Sequence, residues 1–337
     1  MAYRTQNAGS ENISPPGTVS LKRDLQIIDL RHLSGLDLDP LLIDETVEWD
    51  LALDRDFSKS ADLVRKLCGA RRLGGVALLD RGEVAGYGYI GREDNKGLIG
   101  DVYVRPAWRS GNAEAVLLRA LFDALIRVSS VRRIESQLML VEAPAAQALQ
   151  RERLVRLFER FLMTRDADTP LPPTVAPAVP EFCIEPWGDH HRSAAASVIS
   201  KAYTGHIDSQ MSDRYRTLAG VNRYLQDLVQ VSGSATFHGP ASCVAFDRTT
   251  GSAAGISLVS FVAHEVAHIA ELCVVPHAAR TGLGYQLLRQ STESLQSAGA
   301  KRISVTVTAD DEEAVALYTR CGFRETRRFF GYVWERL

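Results

Sequence analysis

The apolar and polar positions of this chain alternate between two periods, and they do so twice in the same order. In the second half, His190–Tyr203 and Ser212–Gln230 carry helical spacing, while Cys243–Phe246 and Ile256–Val262 read as strands around a turn at Thr249–Gly251. A further strand runs to Val275. A helix over Gly284–Ala298 follows, with Leu287, Leu288, Leu295 and Ala298 on one stripe and Gly299 placed to cap it. Ile303, Val305 and Val307 alternate as a strand, Glu312–Cys321 forms a short helix ended by Gly322, and Phe323–Trp334 supplies the last strand. In the first half, Ile27–Leu30 is a strand and Leu41–Cys68 holds helices. Val76–Leu79 and Val84–Ile90 form a hairpin across Arg81-Gly82, and Leu98–Val104 ends at Pro106 as the later strand ends at Pro276. A helix over Ala113–Val128 and a strand over Ile134–Val141 complete the parallel. A repeat of about 170 residues signals a duplicated domain, not a solenoid.

Between the halves lies Asp166–Phe182, with five prolines within residues 170–180. Proline fixes its own torsion and lacks a donor, so this stretch cannot continue a helix and reads as an extended linker. The expected layout is a flexible tail over 1–20, a first domain over 21–165, the linker over 166–182, and a second domain over 183–337. Composition narrows the setting. At 337 residues the chain has room for two cores, and a net charge of −2 gives no ground for nucleic-acid binding. Its five cysteines are odd in number and scattered without a CxxC, which suits a reduced cytoplasmic protein without disulfides. No apolar run approaches the ~18 residues a membrane span needs. The N-terminus lacks the apolar core of a signal peptide.

The candidate chemistry sits in Val274–Leu288. A β-branched run ends at Pro276, and a short loop delivers Gly282 and Gly284 into an apolar-striped helix. Such a turn aims several backbone N–H groups at one spot, where the helix dipole also favours an anion, so it reads as a pyrophosphate cradle. About 25 residues on comes DDEEAVALYTRCGF, ending at Phe323.

Together these segments resemble the acyl-CoA-binding core of the GNAT N-acyltransferase superfamily. The loop Ala279-Arg280-Thr281-Gly282-Leu283-Gly284 is similar to that family's Q/R-x-x-G-x-G/A loop, with Ala279 in place of Gln or Arg and Arg280 one position later. Ala314, Leu317, Tyr318, Gly322 and Phe323 match the second signature, with Asp311 where Asn is usual. The resemblance implies a mixed α/β fold of two tandem GNAT-like domains, each a central mixed sheet flanked by helices. It also implies acetyl-CoA as co-substrate, an amine acceptor as partner, and direct attack in a ternary complex. Cys273, Val274 and Val275 would pair with the pantetheine arm, with the Val274 N–H polarising the thioester carbonyl. Arg280, Thr281, Gly282, Leu283, Gly284, Tyr285 and Asp311 would complete the CoA site. Tyr318 would protonate the departing thiolate. Glu271 is the first candidate for the general base, His268 the second and Glu265 the third. His206, Asp208, Tyr215 and His264 are candidates for acceptor binding. In the first half Asn112 and Glu114 replace the two glycines and no LYxxxGF follows, so that half reads as a degenerate GNAT-like domain.

Two other readings stay open at this point. The chain could be a non-catalytic acyl-CoA-binding module. Alternatively, His264-Glu265-Val266-Ala267-His268 is a literal HExxH, which on a helix would hold zinc with Glu265 as base. Against zinc, the motif falls where a GNAT strand must begin, among β-forming neighbours. The sequence does not select among small amines, amino acids, antibiotics and protein N-termini as acceptor.

Overall fold

A computed structural model describes residues 25–109, 112–151, 155–173, 181–230 and 235–336. The expected tail, residues 174–180 of the proline-rich segment, and Ser110 and Gly111 lie outside the described residues.

The first half runs β1 (Leu25–Asp29), α1 (Gly35–Leu53), α2 (Ser58–Gly69), β2 (Gly74–Asp80), β3 (Glu83–Glu93), β4 (Lys96–Val104), α3 (Pro106–Arg109), α4 (Ala113–Ile126), β5 (Arg133–Leu138), α5 (Ala143–Arg151) and β6 (Arg156–Asp166). The second runs β7 (Phe182–Pro186), α6 (Arg192–Ala202), α7 (Ile207–Met211), α8 (Leu218–Gln230), β8 (Thr236–Phe237), β9 (Cys243–Asp247), β10 (Ala253–Ala263), β11 (Val266–Val274), α9 (Leu283–Ser297), β12 (Arg302–Thr308), α10 (Glu312–Arg320) and β13 (Arg324–Glu335). Local chemistry sets several of these boundaries. Ser34 and Asp37 form a reciprocal capping box at the start of α1, and Asp311 caps α10 through the Ala314 N–H at 3.1 Å. The expected helix over Ser212–Gln230 is instead a short turn at Asp213–Tyr215 followed by α8. Ser212 N-caps that turn without a side-chain hydrogen bond, and its hydroxyl donates to Glu135.

All the strands join one mixed sheet in the order β1-β2-β3-β4-β5-β13-β6-β12-β11-β10-β9-β7, with β8 paired to β10 off this path. The centre of that order is an exchange. β13, from the end of the chain, pairs antiparallel with β5 of the first half, while β6 of the first half pairs antiparallel with β12. β6 and β13 then pair with each other from Arg324↔Thr164 to Val333↔Arg156. Each half therefore completes its sheet with a strand from the other. Helices α4, α5, α9 and α10 pack on one face, over clusters that include Leu117, Leu121, Leu288 and Leu295. Helices α1, α2, α6 and α8 contribute to the opposite face, where Leu38, Tyr87, Ala195 and Leu225 are buried.

The sheet opens twice. β11 and β12 are parallel and paired only over Val266–Ile269, and β4 and β5 only over Lys96–Leu98. Beyond those rungs the strands part. Each opening sits beside a bulge. Leu258↔Glu271 and Val259↔Ile269 leave Ala270 extra, and Tyr89↔Asp101 and Ile90↔Ile99 leave Gly100 extra. A Cβ at Gly100 would come within 2.1 Å of the Tyr89 ring, so only glycine fits there.

The two bulges present a carboxylate at the same place, Asp101 in one half and Glu271 in the other. Asp101 is sealed under α1 against Glu45, and both are buried. The Tyr87 hydroxyl donates to Glu45 Oε2 at 2.8 Å. Burial and its neighbour Asp101 push the Glu45 carboxyl well up, and burial pushes Asp101 up to about 6. The folded pair thus keeps a proton that the unfolded chain loses near about pH 4. Its stabilisation is full below that value and is lost as pH rises through about 6. Asp101→Asn is expected to flatten this slope, so the wild-type Tm falls relative to the variant between about pH 4 and 7. Parallel Tm curves for the two proteins would rule out the shared proton.

Candidate functional site

The β11–β12 opening gathers most of the residues that the sequence nominates. Ala267 and Ile269 of β11 join the core under α9 and α10, and the Ala270 bulge then resets the alternation. His268 and Glu271 consequently both emerge toward the opposite face, which carries α6, α7 and the loop between α1 and α2. Glu271 is buried and held in a cage of aromatic hydroxyls. Tyr203, at the end of α6, donates to Oε1, and Tyr215 donates to Oε2 at 3.1 Å. The two rings stack 4.0 Å apart. The Arg214 guanidinium lies over Tyr215 and Tyr224 at 4.9 and 4.4 Å, and the Tyr224 hydroxyl donates to the carbonyl of the bulge residue Ala270. Burial raises the Glu271 pKa; the Tyr203 hydrogen bond and the Arg214 charge pull the other way without cancelling it.

Tyr318 comes from α10, on the other face of the sheet. Its ring is buried edge-on to Phe323 at 5.5 Å. Burial first, then the charges of Glu271, Asp311, Cys273 and Asp208, raise its phenol far above the usual value, so it stays protonated. Among the described residues its hydroxyl makes no hydrogen bond. The Cys273 thiol is likewise pushed well up, by burial and then by Glu271, which leaves it a poor nucleophile.

The backbone of β11 faces the opening along one edge. Val275 N–H donates to Ala254 O on the β10 side, so the N–H of Val274, one residue earlier, faces away from β10. The glycine loop follows. Arg280 and Gly282 both take positive φ, at 63° and 89°, and Gly282 is the N-cap of α9. The first N–H groups of α9, those of Leu283, Gly284 and Tyr285, have no acceptor inside the helix. Among the described residues only Leu283 N–H finds one nearby, the Thr281 hydroxyl at 3.4 Å. A Cβ on Gly282 would meet nothing within 4 Å, and one on Gly284 would meet Leu317 at 3.8 Å, so the surface above the loop is open. The Leu283 side chain is buried in the core. Arg280 is exposed and ion-paired with Glu313, and the Tyr285 hydroxyl donates to the Pro172 carbonyl.

In the first half the same position is filled from within. Asn112 takes φ 67° as N-cap of α4, and the buried Glu114 carboxylate accepts from Glu142 N–H at 3.0 Å, with Arg109 at 3.6 Å. Arg109 is held in turn by Glu48 at 2.6 Å.

Around the opening, His206 caps α7 by accepting from Asp208 N–H, and its Nε2 contacts Asp311 at 3.2 Å. The Asp311 bond raises the His206 pKa. Burial alone would raise Asp311, but His206 and the Ala314 N–H hold it below the usual carboxylate range. Asp208 accepts from the Thr308 hydroxyl and lies 3.4 Å from Arg160. His206, Asp208 and Tyr215 are thus assembled beside Glu271.

His264 is not. Ala263 ends β10 and Val266 starts β11, so this acceptor-binding candidate makes the hairpin turn together with Glu265 and not the wall of the opening. Glu265 takes φ 58° and pairs with Lys301 at 2.7 Å, while His264 is 93% exposed. The same turn removes the zinc reading, since no helix brings the two histidines together. His268 is also a weak choice for the base. Its Nδ1 contacts Arg55 at 3.1 Å and Ser304 at 2.9 Å, and burial, then Arg55 and Arg160, lower its pKa.

Sequence reasoning missed Tyr203, Arg214 and Tyr224. An aromatic at a helix end or beside an arginine is too common a pattern to single out. It also missed Arg160, whose place depends on the strand exchange. A cleft of about 1110 Å³ lies apart from Tyr318, between the start of β5 and α8, and includes Arg214 and Tyr224 in its wall. No helix among the described residues is long and apolar enough to cross a membrane.

Comparison with known proteins agrees with this geometry. Residues 210–323 match the model of the Acetyltransferase (GNAT) family. The structure is similar to a GCN5-related N-acetyltransferase from Sphaerobacter thermophilus, at TM-score 0.66 and 15% identity, covering 92% of this chain and 95% of that one. It is also similar to a tandem GNAT protein from the clavulanic acid biosynthesis pathway, at TM-score 0.57 and 14% identity, covering 93% and 98%. No match was found among curated proteins. Residues 210–323 therefore carry the match to the GNAT family model, and the chain as a whole has the fold of tandem GNAT proteins.

Proposed function

We propose that the second half transfers an acetyl group from acetyl-CoA to an amine acceptor in a ternary complex. The observation that carries this reading is the buried Glu271 carboxylate at the bulge, with a protonated Tyr318 phenol close enough to feel its charge from across the sheet. Acetyl-CoA supplies the activated thioester when bound. The open N–H groups of Leu283, Gly284 and Tyr285 suit its pyrophosphate, with Gly282 and Thr281 shaping the turn, and the free edge of β11 at Cys273–Val275 suits its pantetheine arm. Arg280 and Asp311 border this region from the loop and the cap of α10.

Each protein group then has one task. Glu271 takes the proton that the attacking amine gives up as its C–N bond forms. Val274 N–H donates to the carbonyl oxygen as charge grows there. Tyr318 gives its proton to the sulfur as the C–S bond breaks, and regains one from solvent. His206, Asp208 and Tyr215 border the acceptor's approach. A base must be deprotonated to act, so the raised pKa of Glu271 places the acidic limb of kcat/KM above the ordinary glutamate range.

The test follows thiol release with a panel of amines. Glu271→Gln is expected to abolish that acidic limb and to lower kcat by about 10²–10⁴. Tyr318→Phe should lower kcat by a similar ~10²–10⁴ while CoA affinity changes little, because only an unbonded hydroxyl is removed. Near-normal turnover in the Phe variant would reject the acid role.

The number of CoA sites is a separate expectation. Glu114 stands in the first turn of α4, where its carboxylate repels a pyrophosphate. Titration calorimetry should show one CoA per chain, with binding lost in Gly284→Glu. Two equivalent sites, or undiminished binding in that variant, would overturn the assignment.

A further inference from the structure

Arg160 belongs to β6, the strand that the first half lends to the second, and its side chain enters the acceptor side of the β11–β12 opening. It is only 5% exposed, and among the described residues its ion-pair partner is Asp208, on one nitrogen alone. Its Nη1 lies 3.4 Å from Asp208 Oδ1, 3.1 Å from Thr308 Oγ1 and 3.3 Å from Met211 Sδ. The other edge of the guanidinium is less satisfied. Among the described residues Nη2 has only Thr306, at 3.4 Å to its carbonyl and 3.5 Å to its hydroxyl, and Nε has no partner.

Nε and Nη2 together form the side-on edge with which arginine grips a carboxylate through two parallel hydrogen bonds. A buried guanidinium with that edge unspoken for is costly unless a ligand completes it. A second buried donor lies nearby. Arg214 Nε also lacks a partner, and its guanidinium stacks on Tyr215, the ring that hydrogen-bonds Glu271. Arg160 is close enough to Tyr215, His268 and Asp311 for its charge to bear on all three. The Glu271 carboxylate and a buried cation with one edge incompletely bonded thus occupy one face of the same opening.

The geometry points to an acceptor that carries a carboxylate as well as its amine, with Arg160 as the residue that selects it. The amine is directed to Glu271 and the carboxylate to the Nε–Nη2 edge of Arg160. Thr308 keeps Asp208 on the Nη1 side, away from that edge. This inference rests on the acetyl-transfer reading above. It also gives the first half a share in substrate choice, since the selecting residue lies in its sequence.

The test uses the full chain with CoA bound. α-Amino acids and the same amines lacking the carboxylate are compared by calorimetry, and by thiol release with acetyl-CoA. The wild type should favour the carboxylate-bearing member of each pair by roughly 10²-fold, as two charge-assisted hydrogen bonds allow. Arg160→Gln should lose that preference while holding CoA with normal affinity, and Arg160→Lys should recover part of it. Equal treatment of both series by the wild type would overturn the inference, as would a preference that survives in Arg160→Gln. So would failure of every carboxylate-bearing amine to bind while CoA binds. If Arg160→Gln does not fold, the wild-type preference and its partial loss in Arg160→Lys decide the matter. A wild type that binds no CoA would instead overturn the transferase reading itself.

Discussion

The central β6–β13 ladder is the interaction on which the rest of this structure depends. A GNAT opening requires two parallel strands to part, which leaves their inner edges short of backbone partners. Something must close the far side of β5 and of β12. Here each is closed by a strand from the other half, through the β13–β5 and β6–β12 pairings, and the two lent strands seal against each other. Ion pairs reinforce the seam, with Arg133 bridging Glu135 and Glu335. The sheet is consequently continuous, and neither half holds all of its own strands.

The duplicated bulges show how one backbone device supports two outcomes. At each, an extra residue turns a carboxylate toward the same face. Glu271 meets two tyrosine hydroxyls and a nearby arginine, which allow a charged carboxylate to be buried at tolerable cost. Asp101 meets a second carboxylate, Glu45, so a proton must be retained. The first leaves a carboxylate beside the opening, whereas the second is sealed in the packing under α1. The glycine loops diverge in the same way. Gly282 and Gly284 leave the start of α9 open, while Glu114 brings its own anion to the start of α4.

Much of the fold was legible in the sequence because it rests on local rules. Apolar periodicity located most strands and helices of both halves, since a strand or helix must bury one face wherever it lies, but it did not mark α5, β6 or β7. The glycine loop and the LYxxxGF segment were legible because positive φ and helix capping restrict residue choice over a few positions. Glu271 could be named as a candidate on the strand, but its facing could not, because the bulge at Ala270 resets the alternation.

Only the tertiary structure decided what distant residues do to one another. HEVAH matches a zinc helix literally while its neighbours favour a strand, and the hairpin turn it forms was set by pairing with β10 and β12, not by the five residues themselves. Tyr203, Tyr215 and Arg214 became the surroundings of Glu271 because α6 and the following turn fold back over the bulge. Arg160 lies more than a hundred residues from the strands whose opening it enters, and no local pattern marks it. Strand exchange is a property of which edges remain unpaired once the rest of the sheet has formed. The chain specifies its elements residue by residue, but the site arises where non-local hydrogen-bond ladders bring their edges together.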